Sequence, residues 1–329
     1  MGDAAGIGPE ISVKTVIRKE ILDVCNPFII GSGDVIDAAI RKLGLDTKVS
    51  VYNDFDDIDF ADKESIKVLD VFPLNSEYFA IGKVDPVCGE AAVKYMDEAV
   101  ALSKAAKISA FASAPINKEG MAMAGYDFAG ATEYLAHITG TKEYSMILFF
   151  GPIKMFYATN HVSLRDALES IDEKMIYNKL VFIDRALSEM GEINKRIAVA
   201  AINPHAGENG KMGREEIEIQ MPAIQKAITN GCEAEGPIPA DTLFIKAKDR
   251  EYGAVLAMFH DQGNIAAKLL NFGSGVTYIH GLPIIRTSVA HGTAYDIAGE
   301  GIASEDTLVS AIHTACDLAE KREKNAKSN

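Results

Sequence analysis

The segment AVLAMFHDQGNIAAKLL (254–270) drives an unbroken apolar run, Ala254 to Phe259, straight into a histidine, an aspartate and a glycine. Two other segments do the same. IKMFYATNHVSLRDA (153–167) puts His161 after the run Met155 to Ala158, and IAVAAINPHAGENG (197–210) puts His205 after Ile197 to Ile202. Short runs of Val, Ile, Phe and Ala, closed by polar, Gly or Pro breakers, read as strands buried on both faces, the pattern of a parallel sheet. In open α/β sheets ligands bind along the carboxyl ends of the strands. Three of the chain's seven histidines stand at such ends, so one rim carrying three imidazoles is expected.

Strand-like and helical patterns alternate along the rest of the chain. PFIIG (27–31) precedes DVIDAAIRKLG (34–44), which closes on Gly44, a residue suited to a helix C-cap. GEAAVKYMDEAVALSKAAK (89–107) has the period of an amphipathic helix, and ISAFASAPINKEG (108–120) leaves it as a strand. SIDEKMIYNKLVFIDRALSEMG (170–191) opens with Ser170 and Glu173 at capping-box spacing and closes on Gly191. REEIEIQMPAIQKAITNG (214–231) predicts a helix interrupted at Pro222 and stopped at Gly231. DTLVSAIHTACDLAEKREKNAKSN (306–329) predicts a surface helix running into a polar tail. This alternation means the α/β class with a largely parallel sheet. No repeat, low-complexity block or Pro/Ser-rich linker marks a domain boundary.

With 329 residues, 48% hydrophobic and 24% charged, the chain has an ordinary globular composition and the length for two domains. A formal net charge of −14, with no Lys/Arg cluster, excludes a nucleic-acid partner but leaves room for a small anion held by local cations. Cys25, Cys88, Cys232 and Cys316 are scattered, as free thiols in a reducing cytoplasm would be. The most apolar stretch, SMILFFGPIKMFYA (145–158), is broken by Gly151, Pro152 and Lys154 too soon to cross a bilayer. Met1 is followed at once by GDAAGIGPE, with no signal peptide. A soluble cytoplasmic protein is expected.

Several segments bear on chemistry. Neutral imidazole is the commonest metal ligand, and three with an open position suit a catalytic Zn²⁺ or similar divalent ion. No local metal motif links the three histidines, and three separate strand-end histidines bonded to backbone are the plainer alternative. GDAAGIGPEI (2–11) reads as a turn at Gly6 and Gly8 feeding a helix with Pro9 in its first turn. Such a helix start can hold an anion, though a plain tight turn accounts for it equally. FIIGSGDVIDAAI (28–40) has Ile36 where a dinucleotide fingerprint needs its third glycine, and that reading is rejected. GLPIIRTSVAHGTAYDIAGEGIASED (281–306) is the densest glycine-rich segment, and such long loops are often functional. Arg286 at the end of LPII can clamp a carboxylate or phosphate, and Lys268 can add a second cation. Each alone is an ordinary surface cation.

Read in order, GDAAGIGPEI, SAPINKE, GATEYLAH, NHVSLRDA, NPHAGENG, GPIPADTLF, FHDQGNIAAK and GLPIIRTSVAHGTAYDIAGEGIA span almost the whole chain. Together they resemble the 4-hydroxythreonine-4-phosphate dehydrogenase family, including its relatives that act on 4-phospho-threonate or 4-phospho-erythronate. SAPINKE is closer to that latter branch than to the vitamin B6 branch. The last motif also resembles the cofactor loop of isocitrate and isopropylmalate dehydrogenases, which bind NAD without a GxGxxG loop. The resemblance implies their two-domain α/β/α fold. Residues 1–127 with 270–329 would carry the NAD loop, and 128–269 the metal ligands and dimer contacts. It implies that His161, His205 and His260 bind one divalent metal ion (Zn, Mg, Mn or Co). Thr132, Lys268 and Arg286 would contact a small phosphorylated substrate, and His291, Gly292, Thr293 and Asp296 would position NAD or NADP. A homodimer with the active site at the subunit interface is also implied. The implied reaction oxidises a hydroxyl and decarboxylates the β-keto acid formed, with Asp241 of PADTLF as base and Lys268 as a further catalytic group. The chain departs from the family at Ala131, for the histidine of GHTE, at Thr277 for an asparagine, at Ala290 for the Asp of SVDHGT, and at Ala4 for the proline of GDPAG. Two rival readings are a catalytically impaired paralogue and a phosphate acyltransferase on the same fold.

Overall fold

The structure, a computed structural model, describes residues 1–270 and 275–328. In chain order the first strands are β1 (Ile29–Ile30), β2 (Lys48–Tyr52), β3 (Ser65–Leu69), β4 (Phe111–Ser113), β5 (Ser145–Phe150) and β6 (Ile153–Tyr157). They are followed by β7 (Ile197–Ala200), β8 (Ala234–Ile238), β9 (Ala254–Ala257), β10 (Gly275–His280) and β11 (Arg286–Val289). Helices connect most of them, which is the α/β class. The chain forms two compact units: Met1–Ser145 with Val276–Ala319, and Met146–Gly275 with Glu320–Asn329. Asn329, the end of the expected polar tail, lies outside the described residues.

In the second unit the three histidine-terminated runs became neighbours. The strand order is β5-β6-β9-β7-β8, with β6–β9, β9–β7 and β7–β8 parallel and β5–β6 antiparallel. Residues of β7 and β9 are buried throughout, as expected of strands covered on both faces. Met155, Val255 and Ala198 share a core with Leu243, Phe244 and Ala247 of the helix Ala240–Lys248 and with Ala267 of the helix His260–Leu270. The glycine and proline that interrupt the apolar segment 145–158 make the two-residue turn of a hairpin, since Phe150 pairs with Ile153. Gly151 there has φ 56°, which costs glycine little. Among the described residues no helix is long and apolar enough to cross a membrane.

The first unit holds a parallel sheet β1-β3-β2, and β4 paired in parallel with β11, which in turn pairs antiparallel with β10. The helix Gly8–Val16 is buried over most of its length. Its Glu10 accepts from the backbone N–H groups of Gly301 and Ala303, and its Lys14 donates to the carbonyls of the same two residues at 2.9 and 2.8 Å. That pair fastens the far end of the glycine-rich segment to the beginning of the chain.

Helix ends mostly follow the punctuation of the sequence. Gly44 takes a left-handed conformation beyond Gly33–Leu43, and Gly191 and Gly231 do the same after their helices. One cap differs. Ser170 does not open the helix Glu173–Glu189; it closes the preceding helix Leu164–Ser170, where its hydroxyl donates to Ala167 O. The cap is Asp172, whose carboxylate accepts from Met175 N at 2.6 Å. The earlier helix has its own cap at Ser163 and absorbs Ser170, leaving Asp172 next to the first free N–H groups. The interruption expected at Pro222 is a π-helical turn, Glu216–Gln220, running into the α-helix Met221–Thr229. Proline has no N–H to give the preceding turn, and a widened turn accommodates that loss.

Candidate functional site

The site begins where β6 and β9 end. Their pairing continues past the strands, with Ala158 N donating to Ala257 O and Thr159 N to Met258 O. Three residues on, the His161 and His260 rings lie 5.7 Å apart, centre to centre. Two imidazoles bound to one ion at about 2.1 Å each put their ring centres roughly 5 Å apart, so this spacing suits a shared ion. His260 opens the helix His260–Leu270, and its Nδ1 is 2.7 Å from Asp261 Oδ1. That contact orients the ring and leaves Nε2 as the outward ligand atom. Beside His161, the Asn160 Oδ1 atom is buried without a hydrogen-bond partner, an acceptor with no donor of its own. Soft-to-borderline nitrogen donors with an adjacent unfilled oxygen are a donor set that fits a divalent ion.

His205 stands on the next strand of the rim, after β7, and is exposed. Among the described residues no group of three or more His, Cys, Asp or Glu side chains stands in metal-holding geometry. The chain therefore brings His161 and His260 together, with His205 presented separately from the adjoining strand. The backbone that presents it is unusual. His205, Ala206, Gly207, Glu208 and Asn209 have φ of 52, 53, 74, 42 and 57°, a run of left-handed residues. Each non-glycine residue in that conformation costs about 1–2 kcal/mol, and such strain persists where surrounding contacts over-determine it.

Gln262 ties the two strand ends together. Its Oε1 accepts from Met258 N at 2.7 Å, at the end of β9, and its Nε2 donates to Ala201 O at 2.7 Å, at the end of β7. Both backbone groups are buried, so this single side chain satisfies two atoms that water does not reach. Also in this unit, Asp241 is exposed in the first turn of the helix Ala240–Lys248, and Lys268 is exposed on the helix that His260 opens.

The first unit holds the remaining candidates. Arg286 starts β11 and is 5% exposed, with Nε donating to Ser113 Oγ at 3.1 Å. Among the described residues no carboxylate pairs with it, and burial pushes its pKa down to about 10. A guanidinium held dry and without a counter-ion is prepared to receive an anion. Thr132 is half-buried in the first turn of the helix Ala131–Thr139. His291, Gly292 and Asp296 are exposed, and a Cβ at Gly292 would meet nothing, so the backbone there is open to a large ligand. Thr293 is anchored instead, its carbonyl accepting from Ile7 N at 3.0 Å. An open glycine beside an exposed carboxylate fits a dinucleotide, whose ribose hydroxyls an acidic group can accept from.

Behind that loop lies a contact the sequence did not reveal. Asp3 is fully buried; its Oδ2 accepts from Tyr295 OH at 2.8 Å and its Oδ1 from Ala5 N. Burial, partly offset by those hydrogen bonds, raises its pKa above the ordinary carboxylate range. Gln262 and the Asp3–Tyr295 pair are thus supporting residues that sequence reasoning missed. Gln262 had one available signal, its place two residues after His260 in the same motif.

An α/β chain with two histidines meeting at the ends of adjacent parallel strands, and a dry arginine at another strand, has the make-up of a small-anion enzyme. The chain belongs to the family described as pyridoxal phosphate biosynthetic protein PdxA, whose profile matches residues 23–315. It is 40% identical over 323 residues to a D-threonate 4-phosphate dehydrogenase of Cupriavidus necator, covering 98% of this chain and 96% of that protein. Two solved structures are similar throughout. One is a 4-hydroxythreonine-4-phosphate dehydrogenase from Klebsiella pneumoniae, 38% identical with TM-score 0.85, covering 97% of this chain and 96% of that one. The other, of the same named activity, is from Burkholderia phymatum, 36% identical with TM-score 0.82 and the same coverage.

Proposed function

We propose that the chain is a nicotinamide-dependent dehydrogenase that oxidises a hydroxyl of a phosphorylated four-carbon hydroxy acid, with D-threonate 4-phosphate as its first substrate. The observation that carries this reading is the His161–His260 pair at the ends of adjacent parallel strands, in a chain of this family. The divalent ion held by these histidines and His205 would supply Lewis acidity, lowering the pKa of a bound hydroxyl and stabilising negative charge as CO₂ leaves the β-keto acid. Asp261 keeps the His260 ring in one orientation, and Gln262 keeps the two strand ends in register. Arg286 and Lys268 bind the phosphate or carboxylate as cations, and Thr132 donates a hydroxyl to the same group. Asp241 takes the hydroxyl proton. His291, Gly292, Thr293 and Asp296 would hold NAD or NADP, whose nicotinamide would supply the hydride acceptor. We further propose a cytoplasmic homodimer and the sequence division at 128–269 as its working halves.

The test is NADH formation by the full chain, stripped with a chelator and resupplied in turn with Zn²⁺, Mn²⁺, Co²⁺ or Mg²⁺. D-threonate 4-phosphate, D-erythronate 4-phosphate and 4-phosphohydroxy-L-threonine are offered side by side. Turnover that needs both the metal and the phosphate group is expected, and His260→Ala should abolish it. Full turnover after chelation, or none with any of the three substrates, would overturn the reading.

A further inference from the structure

The left-handed run His205–Asn209 needs something to hold it, and the structure supplies a side chain in the place where one is needed. Glu216 is 2% exposed and opens the π-helical turn Glu216–Gln220. Its Oε1 accepts from Asn203 N at 2.6 Å, and its Oε2 accepts from Asn203 Nδ2 at 3.0 Å. Glu215 Oε2 accepts from the same Nδ2 at 2.7 Å, so the amide two residues before His205 is gripped from both its backbone and its side chain. The carboxylate also forms a wall. A Cβ placed on Gly207 would lie 2.7 Å from Glu216 Oε2, so the middle of the left-handed run closes directly over this group. Gln220, at the other end of the π turn and fully buried, donates to Ala200 O at 2.8 Å and pins the last residue of β7.

Among the described residues no Lys, Arg or His pairs with Glu216. A buried carboxylate without a cation is costly, and it is retained where its hydrogen bonds do something specific. From the two ends of the π turn, Glu216 reaches Asn203, three residues past β7, and Gln220 reaches Ala200, the strand's last residue. We propose that Glu216 is a positioning residue for His205: by fixing Asn203 and walling the turn at Gly207, it sets the left-handed conformation that presents the His205 imidazole toward a divalent ion. This rests on the metal reading above. Glu216 touches no reacting atom in that scheme, so its role is in the geometry of the ligand, not in turnover itself.

The experiment compares wild type, Glu216→Gln, Asn203→Ala and His205→Ala. Amide hydrogen exchange over 204–210 is measured on the metal-free chains, and Co²⁺ affinity by competition with a fluorescent chelator. Glu216→Gln and Asn203→Ala should speed exchange in 204–210 and weaken Co²⁺ binding by about 10–100-fold, the range for lost support of a metal ligand. Turnover of Glu216→Gln should return when Co²⁺ is saturating, which a merely damaged fold would not allow. Unchanged exchange in 204–210, or Co²⁺ affinity equal to wild type while His205→Ala loses it, would overturn the assignment alone. A wild type that binds no Co²⁺ would sink the metal reading and this assignment together. Should Glu216→Gln fail to fold, Asn203→Ala decides the matter by the same two readouts.

Discussion

Replacing Arg286 with methionine should make the protein more stable and less able to bind its substrate. The arginine is 5% exposed and makes its hydrogen bond to Ser113, and burial lowers its pKa from 12.5 to about 10. At about 1.4 kcal/mol per pKa unit, holding the cation in place costs the free protein roughly 3 kcal/mol. Methionine removes that penalty and fills much of the volume. Ser113 loses its donor, at about 1 kcal/mol, and imperfect packing takes a similar amount. The net gain is about 1 kcal/mol, or a rise in Tm of roughly 1–3 °C. The sign with pH follows from the direction of the shift. A cation with a depressed folded pKa is penalised at every pH below that pKa, and the penalty is relieved only above about 10. The Tm difference between variant and wild type should therefore be flat from about pH 6 to 9. Substrate binding moves the other way: losing a charged donor to the phosphate raises KM by roughly two orders of magnitude. Calorimetry without substrate and initial rates with D-threonate 4-phosphate give both numbers. A variant that melts below wild type and keeps its KM would refute the reasoning.

Gln262→Leu removes the partners of two buried backbone groups, Met258 N and Ala201 O, at about 1–3 kcal/mol each, and should lower Tm and loosen Co²⁺ binding together; a thermal melt unchanged from wild type would count against the tie between β7 and β9. Asp3→Asn tests the buried carboxylate behind the glycine-rich loop. Because the folded pKa of Asp3 lies above its unfolded value, the folded state is favoured by protonation, and wild-type stability is lost as pH rises from the ordinary carboxylate range through the raised pKa. The asparagine variant lacks this term, so its Tm relative to wild type should rise as the pH climbs above the ordinary carboxylate range. An advantage that does not vary with pH would show that the charge of Asp3 is of no consequence.

The parallel rim was legible because its signal is a simple one: apolar runs too short for helices, each ending in a breaker and a histidine, leave little choice but adjacent buried strands. Gly44, Gly191 and Gly231 were legible for a similar reason, since left-handed helix ends favour glycine. Ser170 misled because Ser and Asp cap about equally well, and only the length of the preceding helix decides between Ser170 and Asp172. The run His205–Asn209 was illegible: one glycine among five residues does not announce left-handed backbone, and the contacts that enforce it come from Glu216. That glutamate sits in REEIEIQ, where acidic residues at helical spacing read as a solvated face. Arg286 was found as a candidate cation, but its dryness was not, because an arginine after LPII looks like a strand end reaching water.

The clasp of Glu10 and Lys14 on Gly301 and Ala303, with β4 lying alongside β11, bears on how this polypeptide emerges from the ribosome. Glu10 meets its two backbone partners only after Gly301 and Ala303, 291 and 293 positions further on, have been made. The strands β6 to β9 need no such delay, because every partner in their order lies in one uninterrupted span. Translation thus completes the histidine-bearing strands before β11, the partner of β4, has been made.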